Sequence, residues 1–177
     1  YVSMGVAGLV GLVWRMKMAD VMIRAIAPFG AVLAAIALIT GAIWGKPTWG
    51  TYWVWDARLT SMLLMLFLYL GVFALMTAIP DPRQGGRAAS VLSIVGVINV
   101  VIVKYSVEWW QSLHQGSTIR VVGETSMPGE MLAPLLISIL GVYLLFACTV
   151  LLRARTEIIR RERKSQWLQD SLSKGEG

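Results

Sequence analysis

His114 is the chain's one histidine, and six of the eight tryptophans lie in two stretches, the second of which contains it. The first runs Trp44-Gly45-Lys46-Pro47-Thr48-Trp49-Gly50-Thr51-Tyr52-Trp53-Val54-Trp55-Asp56-Ala57-Arg58. The second opens with Lys104-Tyr105-Ser106-Val107-Glu108-Trp109-Trp110 and continues through His114 to Thr118. Dense indole beside one imidazole and a few cations suits a flat apolar disc with a metal at its centre and acids at its edge. Haem is such a molecule. Its porphyrin packs on indole faces, its iron takes an imidazole nitrogen as axial ligand, and its propionates call for Arg, Lys or hydroxyl partners. Lys46, Arg58 and Arg120 are the cations at hand.

The spacing leaves two geometries open for each stretch. Trp49, Trp53 and Asp56 share a face if helical, whereas an extended run aligns Trp53 with Trp55. Trp110 precedes His114 by four residues, so indole and imidazole share a face if that stretch is helical. Blander readings stand beside these. Tryptophans at a membrane boundary also serve as interfacial anchors, a lone loop histidine is often a solvated polar residue, and Asp56 could pair with Arg58 at a helix start.

The elements that must carry these stretches are apolar. Of the 177 residues 56% are hydrophobic and only 15% charged, too little charge for the surface of a soluble domain of this size. Four segments, about Ala25–Trp44, Leu59–Ile79, Ala88–Val103 and Met131–Leu152, approach the roughly 20 residues a helix needs to cross hydrocarbon. A shorter one, Tyr1–Trp14, reads as a helix already under way, with an upstream part preceding it. Strand-like alternation is missing, which argues against a barrel. The expected fold is therefore all-α, a polytopic helical membrane protein with five helices, the first truncated.

Charge placement orients it. Twelve of the sixteen basic residues fall in the segments after the first, third and fifth helices, and only Lys46, Arg58, Lys104 and Arg120 fall on the other side. The positive-inside rule makes the first side cytoplasmic and the tryptophan stretches outer. Residues 1–152 then form a membrane domain with outer loops at 44–58 and 104–130, and residues 153–177 a basic cytoplasmic tail, a basic helix continuing the last span and then polar residues, suited to anionic headgroups. Pro80 to Gly86 read as a turn cluster. Cys148, the one cysteine, can form no intrachain disulfide and reads as a small packing residue. A transporter usually shows an ionisable group inside its spans; here Asn99 is the nearest approach.

The stretch Trp49 to Asp56 resembles the tryptophan-rich "WWD" signature of membrane haem-handling proteins. Its continuation Ala57-Arg58-Leu59-Thr60-Ser61 is similar to the CcmC (HelC) family of cytochrome c maturation, whereas related large synthases carry a Pro-Lys-Glu-like or other acidic continuation. The Tyr105–Trp110 and Leu113–Thr118 motifs resemble the same family, as do Gly45-Lys46-Pro47 and the turn near Pro80. The resemblance covers most of the chain. It implies six transmembrane helices in a bacterial inner membrane, with haem b held on the periplasmic face between two histidines. His114 matches the second of these, and the first lies in the family upstream of the helix under way at Tyr1. Lys104 departs from a histidine common at its position.

On that resemblance Trp49, Trp53, Trp55, Trp109 and Trp110 form the haem platform, His114 is the axial ligand, and Asp56 and Arg58 orient the haem edge or an acceptor. The implied role is presentation of haem to the periplasmic chaperone CcmE, with CcmA, CcmB and CcmD as membrane partners and no enzymatic step of its own. The alternatives are a haem-dependent cytochrome c synthase, or a transporter or structural subunit with tryptophan anchors. Orientation is tested first. A reporter fused after Gly177 should be active only in the cytoplasm and one inserted near Gly123 only outside; the reverse pattern would turn the tryptophan stretches inward.

Overall fold

In hydrocarbon no water is available to the backbone, so each N–H and C=O must be satisfied within the segment that carries it. The computed structural model describes residues 1–110, 114 and 128–162, and helices are the regular elements among them. They are α1 (Val2–Trp14), α2 (Lys17–Trp49), α3 (Ala57–Ala78), α4 (Pro82–Trp109) and α5 (Gly129–Arg161). The last four are long and apolar enough to cross a membrane, and α1 is a shorter apolar helix. This is a polytopic helical membrane protein.

The helices run past the apolar segments expected from hydropathy. α2 begins eight residues before Ala25 and ends five after Trp44, and α5 continues nine beyond Leu152. At 33 residues, α2 spans about 50 Å against a core of about 30 Å. Hydropathy stops where lipid stops, but helical hydrogen bonding continues into the interface. Trp44–Trp49 and Lys104–Trp109 are therefore helical rather than loop, and Arg153–Arg161 extend the last span. Residues 111–113 and 115–127, which include Gln115–Thr118 and Arg120, lie outside the described residues, as do residues 163–177.

The turns are tighter than composition suggests. Arg15 adopts a left-handed conformation (φ 53°) that closes α1 one residue before α2's cap. At the next turn on that side, only Ile79–Asp81 stand outside helix. The Asp81 side chain accepts a hydrogen bond from the Arg83 N–H (3.0 Å), and Pro82, which needs no N–H partner there, opens α4. Gly85 and Gly86, expected in the turn, are instead buried within α4.

They begin a small-residue face, with Ala89, Ser90, Ser93 and Gly96, that lets neighbouring backbones approach. α4 packs between α1 and α3, α2 lies against α1 and α3, and α5 rests chiefly on α2. A Cβ at Gly8 of α1 would stand 2.8 Å from the Ser90 carbonyl oxygen. Buried Asn99 donates its amide to the Ser61 carbonyl (2.9 Å), joining α4 to α3 inside the bundle. α5 turns most of its surface outward, since only 6% of its most apolar stretch is buried. Cys148 is exposed on this helix rather than packed.

The close approach at Gly8 has a measurable cost. Gly8→Leu should lower the thermal midpoint of the purified protein by an amount consistent with overpacking, about 1–3 kcal/mol. Gly41→Leu, where a Cβ meets nothing within 4 Å, should not. Equal effects would mean that α1 does not sit against α4 at this contact.

Candidate functional site

The ends of α2 and α4 and the start of α3 meet at one end of the bundle, and the chemistry-bearing side chains gather there. α2 stops because Gly50 takes a left-handed conformation (φ 79°), which costs a side-chain-bearing residue energy that glycine avoids. Its N–H bonds back to the Lys46 carbonyl (3.0 Å). Lys46 reaches over the same turn, donating to the Gly50 carbonyl (3.0 Å) while its ammonium stands 5.3 Å from the Tyr52 ring centroid. The chain beyond is non-helical until Asp56.

Asp56 restarts the helix. As N-cap of α3 its Oδ1 accepts the Leu59 N–H at 2.7 Å, satisfying one of the donors a helix start leaves open. Its other oxygen, Oδ2, lies 2.8 Å from Nδ1 of His114, a partner 58 residues away. Both side chains are sheltered. An ionised carboxylate only accepts, so the proton of this bond sits on Nδ1. In a neutral imidazole of that tautomer the lone pair lies on Nε2. The alternative pairing of Asp56 with Arg58 is not formed; Arg58 stands half-buried in the first turn of α3 with no ion-pair partner among the described residues.

The aromatic rings fall into three groups. Trp49 meets the His114 imidazole edge-on at 4.6 Å and Trp44 at 5.4 Å. Trp53 and Trp55 contact one another at 5.4 Å, which is the extended alignment of the two that spacing allowed. Trp109 stacks on Tyr105 (5.4 Å, planes 16° apart) and touches Trp110 at 5.9 Å. α4 ends at Trp109, and Trp110 is extended (φ −129°, ψ 152°), so the helix does not carry on through Trp110 toward His114. The described neighbour of the imidazole is Trp49 instead.

Two features suit an acidic, apolar disc. Trp55, Trp109 and Trp110 present exposed indole, Trp55 being 75% accessible although it is among the largest apolar side chains in the chain. The Trp53 indole N–H is buried without a hydrogen-bond acceptor among the described residues, an orphaned donor of the kind that folded proteins rarely leave. No cluster of three His, Cys, Asp or Glu side chains able to cage a bare ion occurs among the described residues. One imidazole is the donor set for a metal that brings its own equatorial ligands.

Sequence reasoning placed these residues in two outer stretches but missed the Asp56–His114 contact, the Trp44–Trp49 contact and the Tyr105–Trp109 stack. The only available signal was a helix-capping aspartate directly after the tryptophans.

Residues 1–169 match the family described as CcmC, Heme exporter protein C. The chain belongs to that family. It is 52% identical over 174 residues to Heme exporter protein C of Escherichia coli (strain K12), covering 98% of this chain and 70% of that protein. The Bradyrhizobium diazoefficiens protein of the same name is 47% identical over 169 residues (95% and 64%), and that of Rhodobacter capsulatus 43% over 166 (93% and 69%). Membership in the Heme exporter protein C family accords with the resemblance drawn from the tryptophan motifs.

The two oxygens of Asp56 have separable jobs. Asp56→Ala should destabilise the protein by about 1 kcal/mol through loss of the cap. Asp56→Asn keeps an oxygen for the Leu59 N–H and should stay closer to the parent in thermal unfolding. Equal losses would show that the contact with His114, rather than the cap, holds the start of α3.

Proposed function

We propose that this chain works in haem export for c-type cytochrome maturation, binding haem b at the tryptophan end of its bundle and presenting it to a periplasmic acceptor. The observation that carries this reading is the 2.8 Å contact between Asp56 Oδ2 and His114 Nδ1. Metal-bound imidazoles almost always donate their second N–H to a carboxylate, carbonyl or water, which fixes the tautomer and raises ligand basicity. With Nδ1 so engaged, Nε2 is the nitrogen that His114 would offer to haem iron. On this reading Asp56 acts as a positioning residue for the ligand.

The indoles bind and shield. Exposed Trp55, Trp109 and Trp110 offer apolar faces to the porphyrin, the buried Trp53 N–H offers a donor to a propionate, and Arg58 and Lys46 supply charge. The tryptophan end faces the periplasm and the basic end the cytoplasm of a bacterial inner membrane, by the charge asymmetry. CcmE is the acceptor proposed, with CcmA, CcmB and CcmD as the membrane complex. The relatives' shared name, Heme exporter protein C, supports the haem-handling part of this reading. An assembly or transport role fits better than a synthase, because the stretch after Asp56 continues as Ala57-Arg58 into a spanning helix.

Substitutions separate ligand, platform and anchor. His114→Ala in protein carrying haem should shift the absorption spectrum and weaken transfer to CcmE, with added imidazole partly restoring the spectrum. Trp53→Ala with Trp55→Ala should lower haem retention roughly three- to tenfold, with membrane insertion unchanged. An unaltered spectrum and unaltered chaperone loading after His114→Ala would overturn axial ligation. Loss of accumulation with constant haem per molecule after the tryptophan changes would make those indoles anchors only.

A further inference from the structure

Between α2, α3 and α5 lie two pockets, an apolar one in the middle of the bundle, walled also by Tyr1, Val2 and Ser3 at the start of α1, and a cationic one toward the end opposite the tryptophans. The apolar pocket is a cavity of about 950 Å³ whose walls include Ile26, Phe29, Leu33, Tyr69, Val142 and Phe146. The cationic pocket, about 450 Å³, is lined by Arg24, Arg153, Arg160 and Glu157, with Phe73 and Thr77 from α3. They follow the same faces of the three helices: Ala25 stands one turn from Phe29, Phe73 one turn from Tyr69, and Arg153 two turns from Phe146.

The charges in the cationic pocket do not balance. Both oxygens of Glu157 are already taken, Oε1 by Arg24 (3.2 Å) and Arg161 (2.8 Å), Oε2 by Arg160 (2.6 Å). Arg153 lines the same pocket with no ion-pair partner among the described residues. Four guanidinium groups, those of Arg24, Arg153, Arg160 and Arg161, thus stand against two carboxylates, Glu157 and the Asp20 that acts on Arg24 and Arg161, an excess of two positive charges at the foot of an apolar slot. The threonine hydroxyls of the lining donate to carbonyls of their own helices, Thr77 to Phe73 and Thr156 to Leu152. The arginines are therefore the donors open to a ligand, Arg24 only through what its bonds to Glu157 and to the Met76 carbonyl (2.6 Å) leave. Guanidinium groups in such a position recognise phosphate through paired N–H donors.

We infer that the two pockets together bind one anionic phospholipid, its phosphate held by Arg24, Arg153 and Arg160 and an acyl chain lying in the cavity between Phe29 and Phe146. Basic pockets between transmembrane helices are where anionic headgroups bind. The apolar cavity distinguishes a lipid from free phosphate, which would have no use for it. Val142 and Tyr143 on its wall are 47% and 67% accessible, so the slot opens sideways along α5 toward the acyl region. Among its described lining residues there is no His, Cys or Met, and the phenols of Tyr1, Tyr69 and Tyr143 are the one class of haem-iron donor present. A lipid there would bridge α5, which otherwise rests chiefly on α2, to α3.

The test uses the full chain purified in detergent and examined by native mass spectrometry and thermal unfolding with added phosphatidylglycerol, phosphatidylcholine, inorganic phosphate or haemin. One phosphatidylglycerol should be retained per chain and raise the unfolding midpoint, with phosphatidylcholine bound more weakly. Arg153→Gln, which breaks no ion pair among the described residues, should reduce retention roughly tenfold, as expected for one charge-assisted contact. Val142→Trp should reduce it by filling the slot, and Arg155→Gln, outside the lining, should leave it unchanged. Equal retention of the two lipids, or no loss with Arg153→Gln, would overturn the site. Displacement by inorganic phosphate would reduce it to a bare anion site, and displacement by haemin would make it a haem route; either result also overturns the lipid assignment.

Discussion

A polypeptide in hydrocarbon has nowhere to send its backbone hydrogen bonds except into itself. That constraint organises the whole molecule. It commits the middle of the chain to continuous helix and leaves irregular backbone only at the ends. Side chains that need special directions are confined there too. The Gly50 turn and the cap at Asp56 are the places where helix stops and starts again, and the candidate ligand hangs from the second of them. Inside the bundle the same constraint favours small residues, as along α4, and allows a polar group such as Asn99 only where its amide finds a carbonyl.

The helical class and its spans were legible because burial in lipid writes itself as long apolar runs. The basic helix that continues the last span past Leu152 was legible too, whereas Trp44–Trp49 and Lys104–Trp109 are helical in residues whose polarity says loop. Gly85 and Gly86 misled for a related reason. Glycine signals a turn in water, but in a membrane bundle it equally marks where two helices touch.

The candidate site was half visible. Aromatic crowding and a single imidazole stand out in composition, so Trp49, Trp53, Trp55, Trp109, Trp110 and His114 could be named without coordinates. Their grouping could not. Trp53 meets Trp55 and not Trp49 because the chain leaves the helix at Gly50, a backbone event one residue wide. The contact of His114 with Asp56 joins positions 58 residues apart, and no local periodicity reports on a pairing of that range. The cationic pocket at Arg24 escaped for the same reason, because its members come from three helices.

Holding both oxygens of one short carboxylate removes its torsional freedom. Asp56 cannot rotate about its last bond without surrendering either the Leu59 N–H or the His114 ring. The orientation of the imidazole is thus inherited from the axis of α3, and the ordering entropy of the ring is settled when the helix forms. A glutamate at this position would carry the same charge on a stem one methylene longer. Caps favour the shorter side chain, so the longer one would slacken the link between ring and helix axis.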